Sequence, residues 1–269
     1  MEFVPYTLKW LELILRWGHV LFAILWVGNS FLFNYLDNKL NKDISDEYID
    51  GEGYLMHSGY YYKLTRLKKS PPLQYLNSLV IFKWQSYLTF VTGILLLIVI
   101  YYYNSAILIV DKRVLEISAF NAILISIISL VIFWYVYDLL CKSKLINNNI
   151  LFISIIFILL VIISFGLTKI FGPKFAFLSV GLIIGTNMFG NVFTVIIPNQ
   201  MNIINSSSKS EKFDTSLSLA AKQRSIHNNY STFLVLFIML SGHYNFIAYH
   251  KYNWLILCLV AIISVAARH

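Results

Sequence analysis

The sequence predicts an all-α fold: a polytopic integral membrane helix bundle of about seven transmembrane helices. Three observations carry that expectation. Of 269 residues, 58% are hydrophobic and 13% charged, against roughly 25% charged in an ordinary soluble domain. A bilayer core of about 30 Å takes about 20 mostly apolar residues per helix, and that length recurs along the chain. The connections between most apolar stretches are short, so consecutive helices are expected to pack as antiparallel neighbours. The whole of residues 1–269 reads as one transmembrane domain.

The first expected span, residues 9–36, is too long and too polar for a cleaved signal peptide, since it carries Arg16, His19, Asn29 and Asn34. Arg16, His19, Ala23, Trp26, Ser30, Asn34 and Asp37 recur at spacings of three and four and share one helical face. In hydrocarbon such a face turns inward, to hydrogen-bond to neighbouring helices or line a cavity. Residues 38–82, rich in Asp, Lys and Tyr, read as a cytoplasmic loop. Further spans follow at 83–103, 117–140 and 150–171. The fifth, 174–197, carries Gly181 and Gly185 in a G-x-x-x-G arrangement, then Asn187, Gly190 and Asn191. These glycines serve close helix packing, or they clear space for a flat macrocycle. A second cytoplasmic loop is expected at 198–228, with a serine-rich run from Ser206 to Ser210, before spans at 229–248 and 252–268.

With the N-terminus outside and the C-terminus inside, the cytoplasmic segments 38–83, 141–149, 198–228 and the C-terminal end hold fourteen of the twenty-one basic residues, as the positive-inside rule requires. Topology thus accounts for the net charge of +8. Nucleic acid is not an expected partner, because no basic stripe with interleaved aromatics lies outside the spans. Cys141 and Cys258 fall on different spans and leave no C-x-x-C-H haem attachment motif, so a haem would have to be held non-covalently. No internal repeat is visible, which weighs against a transporter built from inverted halves.

His19 and His243 are the expected axial ligands of a b-type haem. At 1.5 Å per residue His19 lies about 15 Å inside the outer face, and His243, in a span that starts at Asn229, lies roughly 9 Å inside it. His227 sits at the cytoplasmic edge and is rotated about 160° from His243. Arg224, His227, Asn228, Asn229 and Tyr230 make a dense polar cluster where the sixth helix is expected to begin. A helix N-terminus offers free N–H groups and a positive dipole end, and Arg224 adds a cation for a small anion. The alternative is that Asn228 or Asn229 only caps the helix. Glu52 and His57, with Arg66 nearby, are placed to complete the pocket.

Six blocks resemble the membrane-bound urate hydroxylases of bacteria, also called the bacterial urate oxidase N-terminal domain family. They read WVGNSFLFNYLDN from Trp26, GEGYLMHSGYYYK from Gly51, FKWQSYLTFVTG from Phe82, WYVYDLLCKS from Trp134, NVFTVIIPNQ from Asn191 and RSIHNNYSTFLVLFIMLSGHY from Arg224. They stand in the family's order over nearly the whole chain, and the last two are long enough to be specific. The resemblance implies an eight-helix plan in the bacterial inner membrane and oxidation of urate to 5-hydroxyisourate in purine catabolism. It also implies a C-terminal cytochrome c that takes the electrons. This chain stops at Arg268 and His269, so the expectation is either a fragment or a cytochrome c on a separate chain. Gln85 stands where the resemblance implies an acid, and Ser179 where it implies a histidine.

A urate site needs a cation, planar amide or imidazole groups and an aromatic face. Arg224, His227, Asn228, Asn229 and Tyr230 meet that description, with His57 the candidate for removing a proton. Two other classes remain. A helix with W-G-H followed by aromatic and small residues also resembles small membrane b-type haem proteins of electron transfer or assembly. The polar stripe of the first span also suits a transporter.

Overall fold

The computed structural model describes residues 3–68, 71, 73–76, 79–208 and 214–269; the expected loops 38–82 and 198–228 lie partly outside the described residues. Seven long helices are present among those described: α1 (Phe3–Lys39), α2 (Trp84–Tyr102), α3 (Ala119–Lys142), α4 (Asn149–Leu167), α5 (Pro173–Ser207), α6 (Thr215–Ser241) and α7 (Asn253–Arg268). The first five are long and apolar enough to cross a membrane. α6 has the length but a polar first half, and α7, with 16 residues, extends about 24 Å. The fold is an all-α bundle, as the sequence predicts.

Local chemistry sets where the helices start. Ser118 and Asn148 cap α3 and α4, their side-chain oxygens accepting from the Asn121 and Leu151 amides, and Pro173 opens α5 with a φ already helical. Asp214 caps α6, accepting from the Ser216 amide. α1 packs chiefly on α2, while α5 touches α2, α3, α4 and α6, and α7 lies on α6 and α4. The core follows α5, where Phe175, Val180 and Ile183 meet Phe171 and Ile238.

Among its described residues the connection 198–228 is almost wholly helical. α5 runs on to Ser207 and α6 begins at Thr215, so both helices extend well past the apolar stretches that hydropathy detects. α5 has 35 residues, about 52 Å of helix against a core of about 30 Å. Outside hydrocarbon a helix needs a cap and a packing partner rather than an apolar surface, and the two extensions pack on each other.

The segment 38–82 also holds regular structure, an antiparallel hairpin of β1 (Ile49–His57) and β2 (Tyr60–Leu67). Its two-residue turn puts Ser58 at φ 50° and Gly59 at φ 83°, the left-handed pair that matches strand twist in tight hairpins. Arg66 ties the hairpin to α1 through Asp37 at 2.8 Å and also pairs with Asp50.

The glycines of α5 pack against neighbouring side chains. A Cβ added to Gly181 would meet Ile238 at 2.7 Å, and one added to Gly190 would meet the Trp134 ring at 2.5 Å. Side chains already fill the space at both positions, leaving no room there for a macrocycle. Gly190→Ala is therefore expected to lower stability by about 1–3 kcal/mol through overpacking, while Gly185→Ala, with nothing within 4 Å, is expected to be near neutral. Denaturant titration of the two variants in detergent checks the contrast.

Candidate functional site

The middle of α6 carries Arg224, His227, Asn228, Asn229 and Tyr230 in consecutive turns. It is not a helix N-terminus: its backbone amides are spent inside the helix, and neither Asn228 nor Asn229 caps it. The anion-site argument from free N–H groups and the capping alternative are both corrected by the start of α6 at Thr215. The side chains do the work instead. Arg224 and Asn228, four residues apart, share the face toward α3 and α5 and are both buried.

Arg224, 3% exposed, donates through Nη2 to Asp138 Oδ1 at 2.6 Å and through Nη1 to Asn191 Oδ1 at 2.8 Å. A guanidinium only donates, so Asn191 is fixed with its amide nitrogen pointing onward. That nitrogen donates to the Tyr137 hydroxyl at 2.9 Å and to Asn228 Oδ1 at 2.8 Å. Asn228 in turn donates to the Met188 carbonyl at 2.9 Å. With its oxygen accepting from Asn191, the Tyr137 hydroxyl directs its own hydrogen to His227 Nδ1, 2.9 Å away. One donor each of Arg224, Asn191 and Tyr137 points along the chain toward His227. The imidazole therefore accepts at Nδ1 and carries its proton at Nε2. Phe152 stacks on the ring at 5.2 Å, and Cys141 Sγ lies 3.8 Å from Nδ1.

Asp138 also accepts from Lys142 at 2.6 Å, so two cations share one carboxylate and the cluster carries one net positive charge. Beside it, Tyr137 and Asn187 help line an otherwise apolar cavity of about 80 Å³, and among the described residues the buried Asn187 Oδ1 has no hydrogen-bond partner. Asn229 and Tyr230 face the other way. Asn229 donates to Ser30 Oγ on α1 at 3.2 Å, and the Tyr230 hydroxyl meets His269 at 3.0 Å.

A family model described as urate oxidase N-terminal matches residues 5–269. The chain belongs to that family. Comparison with curated proteins gave no match, and comparison with solved structures gave none.

Within this urate oxidase N-terminal chain, the remaining residues singled out by sequence fall elsewhere. Glu52 is on β1, accepting from Lys63 at 2.8 Å, and this bond holds the Lys63 ammonium pKa above its ordinary value. His57 stands at the exposed hairpin tip opposite Tyr60. Among the described residues no hydrogen bond or ion pair joins the hairpin to α6; its ion pairs are internal or go to Asp37.

His19 sits between α1 and α2, its Nδ1 bonded to the Thr89 carbonyl at 3.0 Å with Thr92 Oγ1 at 3.1 Å. A carbonyl only accepts, so the proton is on Nδ1 and the Nε2 lone pair is left for a ligand. Gly93 gives the ring room, since an added Cβ there would stand 3.1 Å from Cε1. Nε2 of His19 is the atom that would hold a haem iron. His243 does not match its expected place. α6 ends at Ser241, and Gly242, a poor helix former, leads into an exposed turn in which the His243 amide bonds back to Leu240.

Gln85 accepts from Asn29 at 2.7 Å, which keeps an acceptor oxygen where the resemblance implies an acid. Ser179 is buried, and among the described residues it bonds only to the Phe175 carbonyl of its own helix. Sequence reasoning did not single out Asp138, Tyr137 or Ser30 as site residues. Asp138 had a readable signal: a carboxylate inside an apolar span needs a cation, and Arg224 is the cation.

Proposed function

We propose that this chain is a membrane-bound oxidoreductase that oxidises urate to 5-hydroxyisourate in purine catabolism and passes the electrons to a cytochrome c. The observation that carries the reading is the one-way hydrogen-bond chain from Arg224 to His227 in the family's longest matching block. Urate is an electron-rich purine, usually a monoanion. Its conversion adds the elements of hydroxide from water and releases two electrons with the remaining protons, which calls for two one-electron acceptors of the cytochrome c type.

In this reading His227 presents Nε2–H to an oxygen of the substrate, and Tyr137 holds the ring in that tautomer. The Arg224, Lys142 and Asp138 cluster supplies a net positive field to an anionic ring. A b-type haem held at His19 would carry electrons singly. The chain crosses the bacterial inner membrane several times, with its N-terminus outside. Cysteines placed at Tyr54 or Tyr61 in the hairpin should then react with an impermeant reagent only after the cytoplasmic side is opened; reaction in intact cells would reverse the topology.

One observation favours a second reading, a haem-binding electron-transfer protein without urate chemistry. Arg224 is already matched by Asp138, and a cavity of about 80 Å³ is well below the roughly 300 Å³ of small ligand sites. The absorption spectrum of the purified chain with and without urate separates the two. A haem band that urate reduces supports oxidation, and a haem band indifferent to urate supports the second reading. Absence of any haem band would remove the haem from both.

A further inference from the structure

α2 ends at Tyr102 and α3 starts at Ala119, so the chain turns back into the membrane through 103–118, on the side opposite the hairpin. The turn is anchored. Ile109 is fully buried and its carbonyl accepts from the Gly172 amide at 2.8 Å, while the Val114 and Leu115 amides both donate to the Asp111 carbonyl. The turn shapes a surface cavity of about 390 Å³ lined by Lys112 and Glu116 with Ala106, Val110, Ile117 and Ala119. That volume is within the roughly 300–1,000 Å³ of small-ligand sites. The turn carries four charged side chains: Asp111, Lys112, Arg113 and Glu116. Arg113 closes on Asp111, donating from Nε to Oδ1 at 3.0 Å and from Nη2 to Oδ2 at 2.7 Å, and this bidentate pair occupies both of its charges. Lys112 and Glu116 line one cavity, yet among the described residues neither forms an ion pair, with the other or with any third group.

We propose that this cavity binds the zwitterionic headgroup of an aminophospholipid, with its phosphate on the Lys112 ammonium and its own primary ammonium on the Glu116 carboxylate. Opposite charges that line one cavity without meeting are matched by a ligand that carries both signs. The place of the cavity sets the source of that ligand. Two spans, α2 and α3, hold it at the bilayer surface where headgroups lie, and Ile107 and Phe120, 81% and 73% exposed, offer apolar surface to the acyl chains beside it. Ala106, Val110 and Ile117 suit the glycerol and the first methylenes. An anionic glycerol headgroup would satisfy Lys112 alone and bring no cation to Glu116. A choline headgroup has no N–H to donate to the carboxylate, which only accepts.

The test is native mass spectrometry of the purified full chain, titrated in detergent with dioleoyl phosphatidylethanolamine, phosphatidylglycerol or phosphatidylcholine. Phosphatidylethanolamine should bind at least about tenfold more tightly than either of the others, the worth of one charge-assisted hydrogen bond. Glu116→Gln should weaken it about tenfold and erase its preference over phosphatidylglycerol. Lys112→Gln should weaken phosphatidylethanolamine and phosphatidylglycerol alike, and Lys251→Gln, at an exposed side chain in the connection between α6 and α7, should change nothing. Lys112 and Glu116 are both exposed, and circular dichroism matched to wild type establishes that the variants fold. Equal binding of the three lipids overturns the proposal, as does a preference left unchanged in folded Glu116→Gln. Glycerophosphoethanolamine, the same headgroup without acyl chains, should displace the lipid only at about a hundredfold higher concentration or more, because it buries no methylenes. Displacement at equal concentration assigns the cavity to a soluble zwitterion and overturns the lipid assignment.

Discussion

Replacing Arg224 with alanine is expected to destabilise the folded chain by about 3–5 kcal/mol. The truncation leaves Asp138, buried against α5 and α6, without the guanidinium that bonds it at 2.6 Å. It also strips Asn191 of the donor that fixes its orientation. Lys142 still reaches the other carboxylate oxygen, but its side chain is 65% exposed, so it offsets only part of the loss and favours the lower end of the range. Asp138→Ala should do comparable damage by leaving the cation buried alone. Changing both residues to leucine should recover most of the stability, because an apolar pair of similar volume avoids the desolvation penalty. Denaturant unfolding of the three variants in one detergent checks this; a loss under about 1 kcal/mol in Arg224→Ala would show that the pair holds nothing together.

A change at His227 is expected to act on rate. His227→Ala should lower kcat for urate oxidation by about 10²–10⁴, the usual worth of a positioned proton-transfer group, with KM moved little. Tyr137→Phe removes the hydroxyl that bonds Nδ1 at 2.9 Å and leaves the imidazole free to carry its proton on either nitrogen. Its effect should be smaller, about tenfold in kcat, and should appear as an altered pH profile of kcat. Stopped turnover with cytochrome c as acceptor reads both. Equal losses in kcat/KM and in thermal stability for His227→Ala would mark the ring as a packing residue beside Phe152.

The bundle was legible because hydrocarbon imposes a length and an apolar surface on every span. α2, α3, α4 and α7 lie within a few residues of where hydropathy puts them. What hydropathy could not reach is the polar structure between the apolar stretches. The extensions of α5 and α6 are held by the Asp214 cap and mutual packing, and the hairpin by a Ser-Gly turn that reads clearly once strands are sought. The polar stripe of α1 faces neighbours in part: His19 bonds to Thr89, Ser30 to Asn229 and Asp37 to Arg66, while Arg16 and Asn34 bond within α1, to Glu12 and to the Ser30 carbonyl.

The site was half legible. Local density drew the eye to residues 224–230, but the partners that define their roles are remote: Asp138 is 86 positions from Arg224 and Ser30 is 199 from Asn229. Misplacing the start of α6 also turned a mid-helix network into an apparent helix terminus. His243 was placed by extending an apolar run past Ser241, where glycine ends the helix.

The most direct test of the central claim is anaerobic incubation of the purified chain with urate and oxidised cytochrome c, following both reactants. The account predicts that urate is consumed with two cytochromes reduced per urate, at a rate abolished by His227→Ala. Urate left unchanged by folded protein, with cytochrome c still oxidised, would contradict it.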